Sequence, residues 1–409
     1  MRITIVTAYF YPEISPITHL YRDLAEDLAS FGAEVTVVTG KANRGLDAAA
    51  REEYRGRTDE TAEAGYRILR VGSDSAEGTG LVGRGLHFVG GTLSLYRAAK
   101  RTDADVYLLG SMPPFLGVVG ARLAKRAKTV YILQDIFPDS VLLMGKLTEN
   151  HPVTRVFRAM ERIAYRGNTR FVTISEDMKR TLLLRGIDSE RIDVIGNWTD
   201  TDAVRPVARE TNPLFDELGL DRTKFIALYA GTLGDLQCPD LLLDAAKLLS
   251  AETDIGLVIF GGGKHRERIR GRIEAERIGN VRLFDLLPPE RSSEVYSVGD
   301  VALVPLASGT TRIATPSKTW TALAAGRPVI LTAETDSAWA RLLSGADVGT
   351  VIEPGSAEAM ADAIRFAARN RAETAQRGEQ ARAFACSQLV RRTATERYFE
   401  TLKKAALTK

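Results

Sequence analysis

A lysine stands close to the start of a predicted helix in the segment 315–330, TPSKTWTALAAGRPVI. Thr315 is a good helix N-cap, and Pro316 suits the first helical position because it has no N–H to lose. The positive end of the helix dipole disfavours a cation such as Lys318 in the first turn. A lysine is favourable there when a phosphate occupies the helix start. The segment therefore predicts an anion site, with an exposed, unpaired lysine as the alternative.

Two glycine-rich turns follow predicted strands in the same half of the chain. Gly231 and Thr232 lie in YAGTLG, and Gly261 and Gly262 lie in FGGG. Ligands of open α/β sheets bind beyond the carboxyl ends of strands, so both turns and Lys318 are expected at one edge. Each turn alone is explained equally well by a tight bend. Together with Lys318 they predict a site for a donor that contains a diphosphate.

Candidate residues for a second substrate lie in the first half. Gln134 and Asp135 follow a predicted strand, where Asp135 either binds hydroxyl groups or caps the next turn. His19 is a weaker candidate, because a lone histidine near a helix start is more often structural or solvated. Asn197 either touches a ligand or makes a turn, and the turn is favoured.

Other chemistries are disfavoured. The turn after the first predicted strand, AYFYPEISP, lacks the glycines of a dinucleotide-binding turn. The net charge of +3 does not favour nucleic-acid binding. Cys238 and Cys386 form no CxxC pair, which favours reduced thiols, and no D-x-D pair marks a metal site. Metal-ligand spacing is also lacking among the histidines, which are His19, His87, His151 and His265.

Short apolar runs alternate with helical patterns along all 409 residues, which predicts parallel sheets covered by helices. We expect two Rossmann-like domains with a cleft between them, at residues 1–202 and 203–386, and a helix at 387–409 that packs back across them. Residues 41–65 are polar and poorly periodic, which predicts a mobile loop. No secretory signal or long apolar run is recognised, so a cytoplasmic protein is expected, with peripheral attachment at the inner membrane face left open.

The whole chain resembles the GT-B glycosyltransferases of family four, which are retaining enzymes with nucleotide-sugar donors. The likeness is carried by RITIVTAYFYPEISPITHLYRDLAEDLASFGAEVTVVTG, ISEDMKRTLLLRGIDSERIDVIGNWTD and VIEPGSAEAMADAI. It is strongest to a bacterial surface-polysaccharide subfamily, through SMPPFLGVVGARLAK, QDIFPDS, GNWTD and PSKTWTALAAGRPV. The resemblance implies a GT-B fold with an acceptor-side first domain and a donor-binding second domain.

The sequence departs from the family at its acidic positions. The usual E-x7-E glutamates would fall on Ile313 and Thr321, so the contact to the nucleotide ribose is not assigned. Glu353 resembles the family's late acidic residue and becomes a candidate ribose or sugar contact, although a bare turn fits the same position. The usual acceptor-loop glycines are replaced by Ser15 and Pro16, which predicts a stiffer loop.

The cations and the general base also differ. The family's donor-binding arginine and lysine would fall on Thr232 and Gln237, so Lys318, with Arg312 in reserve, is the expected replacement. Gln134 replaces the usual histidine before Asp135, so the leaving phosphate itself is expected to accept the proton. The predicted catalytic residues are Asp135, Gln134, His19 and Lys318. The predicted donor-binding residues are Gly231, Thr232, Gln237, Gly261, Gly262, Arg312, Thr315, Ser317 and Glu353.

These features predict a retaining glycosyltransferase without a metal or other cofactor. It would move a sugar, with a UDP-linked N-acetylhexosamine favoured, to a lipid-linked or polysaccharide-precursor acceptor. Alternatives are a soluble small-molecule acceptor, a nucleotide-sugar isomerase and an inactive sugar-nucleotide-binding protein. Arg155, Arg158, Arg162 and Arg166 are expected on one face of a helix, opposite apolar residues. That face could meet an anionic membrane surface, although simple solvation is favoured.

Overall fold

The computed structural model describes residues 1–13, 17–43, 45–72 and 81–408. The chain divides into two compact units, of which one comprises Met1–Asn197 with Arg391–Lys409 and the other comprises Trp198–Val390. The division falls five residues before the predicted domain boundary. Each unit is an α/β structure with its own sheet, so the predicted fold class is confirmed.

The sheet of the first unit is parallel except at one edge. Within the described residues its strands are β1 (Arg2–Val6), β2 (Glu34–Gly40), β3 (Asp59–Thr61), β4 (Arg67–Val71), β5 (Val106–Leu109), β6 (Lys128–Leu133), β7 (Arg170–Thr173) and β8 (Ile192–Val194). Their order is β3-β4-β2-β1-β5-β6-β7-β8, and β3 runs antiparallel to β4. Helices cover both faces, so β5 is buried along its whole length. The helices before the second unit are α1 (Thr18–Ser30), α2 (Ala48–Arg55), α3 (Leu81–Ala99), α4 (Leu116–Leu123), α5 (Asp139–Leu143), α6 (Pro152–Gly167) and α7 (Glu176–Leu184).

The second unit has a fully parallel sheet. Its strands are β9 (Phe225–Thr232), β10 (Ile255–Gly262), β11 (Val281–Phe284), β12 (Val301–Val304), β13 (Val329–Thr332) and β14 (Gly349–Ile352), in the order β11-β10-β9-β12-β13-β14. Its helices are α8 (Leu214–Glu217), α9 (Pro239–Leu248), α10 (Arg266–Ala275), α11 (Ser292–Val298), α12 (Lys318–Ala324), α13 (Ala338–Gly345), α14 (Ala357–Arg369) and α15 (Arg371–Gln388). Separate apolar clusters fill the two faces of this sheet.

The last helix, α16 (Arg391–Leu407), belongs to the first unit. Arg391 at its start donates to the carboxylates of Asp23, Glu26 and Asp27 on α1, at distances of 3.0, 2.9 and 2.7 Å. One guanidinium therefore holds three acidic residues of α1. No helix of the described residues has the length and apolar character needed to cross a bilayer.

The prediction of a loop over residues 41–65 is wrong, because this stretch contains α2 and β3. The helix α2 has no buried residue, so the apolar period that signals a helix is missing from the sequence. It is instead capped by Asp47, whose side chain accepts a hydrogen bond of 2.8 Å from the Ala50 amide. The strand β3 has only three residues and pairs with β4.

Candidate active site

The predicted glycine turns lie side by side in the second unit. Gly231 pairs with Gly261 and Thr232 with Gly262 in the register of β9 and β10, at the carboxyl edge of the sheet. Lys318 reaches the same point, since a Cβ built on Gly231 would lie 3.1 Å from its Nζ. The backbone φ of Gly231 is +144°, which L side chains rarely adopt. Glycine at position 231 therefore makes room for the lysine.

Tyr229 is the partner that holds Lys318. The lysine Nζ donates a 2.8 Å hydrogen bond to the Tyr229 hydroxyl and lies 4.0 Å from the ring centroid. The hydroxyl in turn donates to the carbonyl of Thr232 at 2.5 Å. Burial raises the pKa of Tyr229, so this hydroxyl keeps its proton. Sequence reasoning missed Tyr229, although a tyrosine inside a buried strand needs a polar partner.

The amine of Lys318 is buried without a counter-ion among the residues that the structure describes. No carboxylate of the described part of the chain forms an ion pair with it, and burial lowers the pKa of Lys318 to about 7. A desolvated cation without an acidic partner is unfavourable, and an anionic ligand removes that cost. The position is therefore suited to a phosphate group.

The helix that carries Lys318 begins later than predicted from the N-cap at Thr315. The helix α12 begins at Lys318 and has seven residues, and the Thr315 hydroxyl is buried without a hydrogen-bond partner among the described residues. The amides of Thr319 and Trp320 already donate to the carbonyls of Pro316 and Ser317, both at 3.0 Å. Few free amides remain at this short helix start, so the lysine side chain supplies the positive charge. Thr315 is not the N-cap because Ser317 occupies that position, itself without a side-chain cap.

Packing accounts for the other glycines of this edge. A Cβ on Gly261 would lie 2.6 Å from a methyl group of Leu233, and one on Gly262 would lie 2.9 Å from Leu286. The predicted contact residue Gln237 lies beside the turn that follows β9, since a Cβ on Gly234 of that turn would be 2.6 Å from the side-chain oxygen of Gln237. The donor contacts of Gly261, Gly262 and Gln237 stay predictions.

A small polar cluster beside this turn was not predicted. Asp235 accepts a 2.8 Å hydrogen bond from Lys264, and the Nε2 atom of His265 lies 2.7 Å from the same carboxylate. Lys264 and His265 follow Gly263 directly, between β10 and α10. The run KHR after three glycines was the available sequence signal.

Glu334 is a second acidic residue that the sequence reasoning missed. It follows β13 and accepts hydrogen bonds from the Gly309 amide and from the hydroxyls of Ser308 and Thr311, the latter two at 3.1 and 3.0 Å. Burial acts to raise the pKa of Glu334, but these hydrogen bonds hold it below its ordinary value. Glu334 thus fixes the loop that carries Arg312, which is exposed, and that leads to Lys318.

The predicted donor residue Glu353 lies several strands away from the glycine turn at the end of β9. It is exposed after β14, which is three strands from β9, or about 14 Å at the usual strand spacing. Glu334 follows β13 and is one strand closer. A ribose or sugar contact by Glu353 stays a prediction, and the structure favours its alternative role in the turn before Gly355, whose φ is +84°.

Asp135 lies at the carboxyl edge of the first unit's sheet. Burial raises its pKa, which the 3.0 Å hydrogen bond from the Ser111 hydroxyl partly offsets. The same hydroxyl accepts a 3.1 Å hydrogen bond from the Gln134 amide, so Ser111 connects two neighbouring turns. This arrangement keeps a carboxylate with raised basicity in a fixed orientation, which suits it to hold a hydroxyl group of a substrate.

Gln134 itself is turned away from such a role. Its side-chain amide exchanges two hydrogen bonds with that of Asn197, at 3.1 and 2.9 Å. Asn197 is buried, and its position after β8 makes this pair a link between the ends of β6 and β8. Gln134 is therefore a positioning residue. Asn197 does more than form the predicted turn, because its side chain is the hydrogen-bond partner of Gln134.

Tyr21 and His19 come from the first two turns of α1. The Tyr21 hydroxyl is buried with no hydrogen-bond partner among the described residues, and a Cβ on Gly110 would lie 2.3 Å from it. Asp135 is among the groups that raise the pKa of Tyr21, after burial. His19 is an exposed residue, but the protein around its ring still lowers its pKa by desolvation, with Asp23 acting in the opposite direction. Ser15 and Pro16 lie outside the described residues.

Comparisons with known proteins decide the family. Residues 18–198 match the Glycosyl transferase 4-like domain, and residues 210–384 match Glycosyl transferases group 1. The chain is a family-four glycosyltransferase of the GT-B fold. WcaI of Escherichia coli (strain K12), named as a glycosyl transferase of colanic acid biosynthesis, is 26% identical over 377 residues, which are 90% of this chain and 92% of WcaI.

Two solved structures show the same fold as this glycosyltransferase. HepE of Anabaena, solved with UDP and glucose, superposes with a TM-score of 0.71 at 17% identity, covering 99% of this chain and 100% of HepE. WaaG, a glycosyltransferase involved in lipopolysaccharide biosynthesis, has a TM-score of 0.72 at 18% identity, covering 98% and 99%. At this identity the likeness establishes the fold alone.

Lys318→Met is expected to weaken UDP binding by about tenfold to a hundredfold at pH 7, because charge-assisted hydrogen bonds are lost. In the wild type, UDP favours the ammonium form and raises its pKa above the value of about 7 in the free protein. The contribution of Lys318 is then full at low pH and is lost as the pH rises above 7. Calorimetric titration should show about tenfold weaker binding at pH 9 than at pH 7, and little such change in Lys318→Met.

The pH range starts at 7 because a terminal phosphate ionises near pH 6 and would mask the effect. Lys247→Met is the control, since this lysine of the same unit pairs with Glu276 on the surface. An unchanged UDP affinity in Lys318→Met would rule out Lys318 as the cation that binds the donor phosphate.

Glu334→Ala is expected to lower UDP affinity about threefold to tenfold, because the loop before Lys318 loses three hydrogen bonds. Glu334→Gln keeps one acceptor oxygen, so its UDP affinity should lie between those of the wild type and Glu334→Ala. The exposed neighbour Asp336 provides the control variant Asp336→Ala, which should bind UDP like the wild type. Equal affinities in all three variants would show that the loop does not shape the donor site.

Proposed function

We propose that the enzyme is a retaining glycosyltransferase that moves a sugar from a nucleoside-diphosphate donor to a lipid-linked or polysaccharide-precursor acceptor. The observation that carries this proposal is the buried amine of Lys318, which has Tyr229 as its partner and no counter-ion among the described residues. A diphosphate supplies the missing negative charge. The UDP and UDP-glucose bound in HepE structures support a UDP-sugar, and we favour an N-acetylhexosamine.

In this proposal the second unit binds the donor and the first unit binds the acceptor. The acceptor hydroxyl oxygen forms a bond to the anomeric carbon while the bond from that carbon to the diphosphate breaks on the same face. The proton of the hydroxyl passes to the departing phosphate oxygen, which agrees with the lack of a histidine before Asp135. Lys318 stabilises the negative charge that develops there, and Asp135 orients a substrate hydroxyl. The scheme needs no metal ion.

A role in surface-polysaccharide synthesis is supported by the similarity to WcaI over nine-tenths of both chains. WaaG, a glycosyltransferase involved in lipopolysaccharide biosynthesis, shares the fold over nearly the full length. A soluble small-molecule acceptor, a nucleotide-sugar isomerase and an inactive binding protein remain the alternatives to be tested.

Incubation with UDP-, GDP- and dTDP-sugars, with and without a polyprenyl-diphosphate-linked sugar, tests the reaction. We expect UDP release from UDP-N-acetylglucosamine that depends on the lipid acceptor, and a product in which NMR shows the donor's α configuration. A β-configured product would exclude retention. Donor conversion without acceptor indicates an isomerase, and the absence of turnover with every donor would favour the binding protein.

The surface of α6 supports a lipid-linked acceptor. Val156 and Ile163 expose 57% and 50% of their surface and lie near the exposed Arg155, Arg162 and Arg166. The spacing of the four arginines in α6 places them on one face, as predicted, but Arg158 is engaged by the acidic residues Asp139, Glu149 and Glu161. Exposed apolar and basic side chains therefore occur together, as in helices that lie on anionic membranes.

The double variant Val156→Ser with Ile163→Ser is expected to reduce sedimentation with vesicles of anionic phospholipid about tenfold, because two apolar side chains no longer enter the lipid. The control is Phe366→Ser, which replaces an equally exposed apolar residue of the second unit. Lack of vesicle binding by the wild-type enzyme at moderate salt would argue for a soluble acceptor.

A further inference from the structure

A pocket of about 390 Å³ lies in the second unit at the edge opposite to Lys318. Its lining includes Phe225, which begins β9, and Arg327, which stands two residues before β13. Both mark the amino ends of strands, whereas Gly231 and Lys318 mark the carboxyl edge. The volume is in the range of small-molecule sites. This pocket is therefore separate from the candidate donor site.

Three guanidinium groups line the pocket, and none forms an ion pair with a carboxylate in the described part of the chain. Arg382 donates to the carbonyls of Val204 and Ala324 at 2.8 and 2.7 Å. Arg371 is exposed and donates to the carbonyl of Thr223 at 3.3 Å. Carbonyl acceptors leave the positive charges of both groups uncompensated.

Arg327 is the least satisfied of the three. Its Nε atom is buried, and its side chain makes no hydrogen bond to any described residue. Burial lowers the pKa of Arg327, and the opposing influence of Asp300 does not restore it. The carboxylate of Asp300 is already engaged, because it accepts hydrogen bonds from Arg209 at 2.6 Å and from the Ile226 amide at 2.7 Å.

Close backbone packing fixes these arginines in place. A Cβ on Gly378 of α15 would lie 2.6 Å from the carbonyl oxygen of Gly326, so the helix contacts the turn that precedes Arg327 directly. Gly326 has a φ of +68° and ends α12. The pocket is thus a concave surface with closely packed backbone, and the Arg327 guanidinium in it has no acceptor among the described residues.

We propose that this pocket binds a small phosphorylated anion as a second ligand, distinct from the sugar donor. Guanidinium groups form bidentate hydrogen bonds with phosphate oxygens, and such bonds to its two terminal amino groups would give Arg327 an anionic partner. Arg371 at the rim adds a second positive charge. Two carboxylates also line the pocket, Glu379, which is exposed, and Asp300, which is already bound by Arg209. The three arginines outnumber them, so an anion gains more from the lining than a cation does.

The test is a titration of the full-length chain with inorganic phosphate, followed by ³¹P NMR, in which chloride keeps the ionic strength constant. Thermal shifts are unsuitable because phosphate stabilises proteins in general. All variants carry Lys318→Ala to silence the candidate donor site. We expect saturable binding in this parent, about tenfold weaker binding when Arg327→Gln is added and about threefold weaker binding with Arg371→Gln.

Arg369→Gln is the matched control, because this exposed arginine of α14 lies outside the pocket lining and should leave phosphate affinity unchanged. Arg327 makes no hydrogen bond, so its replacement removes none and the variant should fold. If the Arg327 variant does not fold, the phosphate affinity of Arg371→Gln tests the proposal instead, and an unchanged affinity there would contradict it. Unchanged affinity in the folded Arg327 variant, or equal weakening by Arg369→Gln, would overturn the proposal. The result does not depend on the proposed donor site, because every variant in this test carries Lys318→Ala.

Discussion

The desolvated amine of Lys318 is the constraint around which the second unit's candidate site is organised. Its 2.8 Å contact with the Tyr229 hydroxyl needs a tyrosine inside β9, and its position needs glycine at 231. A carboxylate next to this amine would neutralise it and remove its affinity for phosphate. The E-x7-E positions of the family are occupied here by Ile313 and Thr321, so no such carboxylate competes from them. Charge that most proteins pair internally is thus left available for a ligand.

Hydrogen bonds that do not touch the ligand determine where the candidate groups point. Glu334 holds the loop before α12, and Ser111 orients Asp135. Gln134 is committed to Asn197, which leaves Asp135 as the polar group of that turn that is suited to a substrate. In each case a buried polar group satisfies its neighbour, because an unpaired one would be costly. Lys318 has no acidic partner among the described residues and Arg327 has no acceptor there, and these two cations mark the two proposed ligand sites.

Much of the fold could be predicted from the sequence, because its signals are local. Buried parallel strands such as β5 are short apolar runs, and their alternation with helices predicts two parallel sheets. The helix α2 was missed because it buries nothing and so has no apolar period. The start of α12 was misplaced because Thr315 and Pro316 resemble a cap in sequence, whereas backbone hydrogen bonds to Pro316 and Ser317 begin the helix later.

The sequence by itself determined the fold class, the family and the presence of Lys318 near a helix start, because these follow from periodicity and contiguous motifs. The tertiary structure alone decided which partner holds that lysine and which cations lack one. Tyr229 lies 89 positions from Lys318, and Arg371 is brought to Arg327 by the contact between Gly378 and Gly326. Burial and pairing arise from residues distant in the chain. They set the pKa of Lys318 and leave Arg327 without an acceptor in the part of the chain that the structure describes. Sequence spacing carries no information on either property.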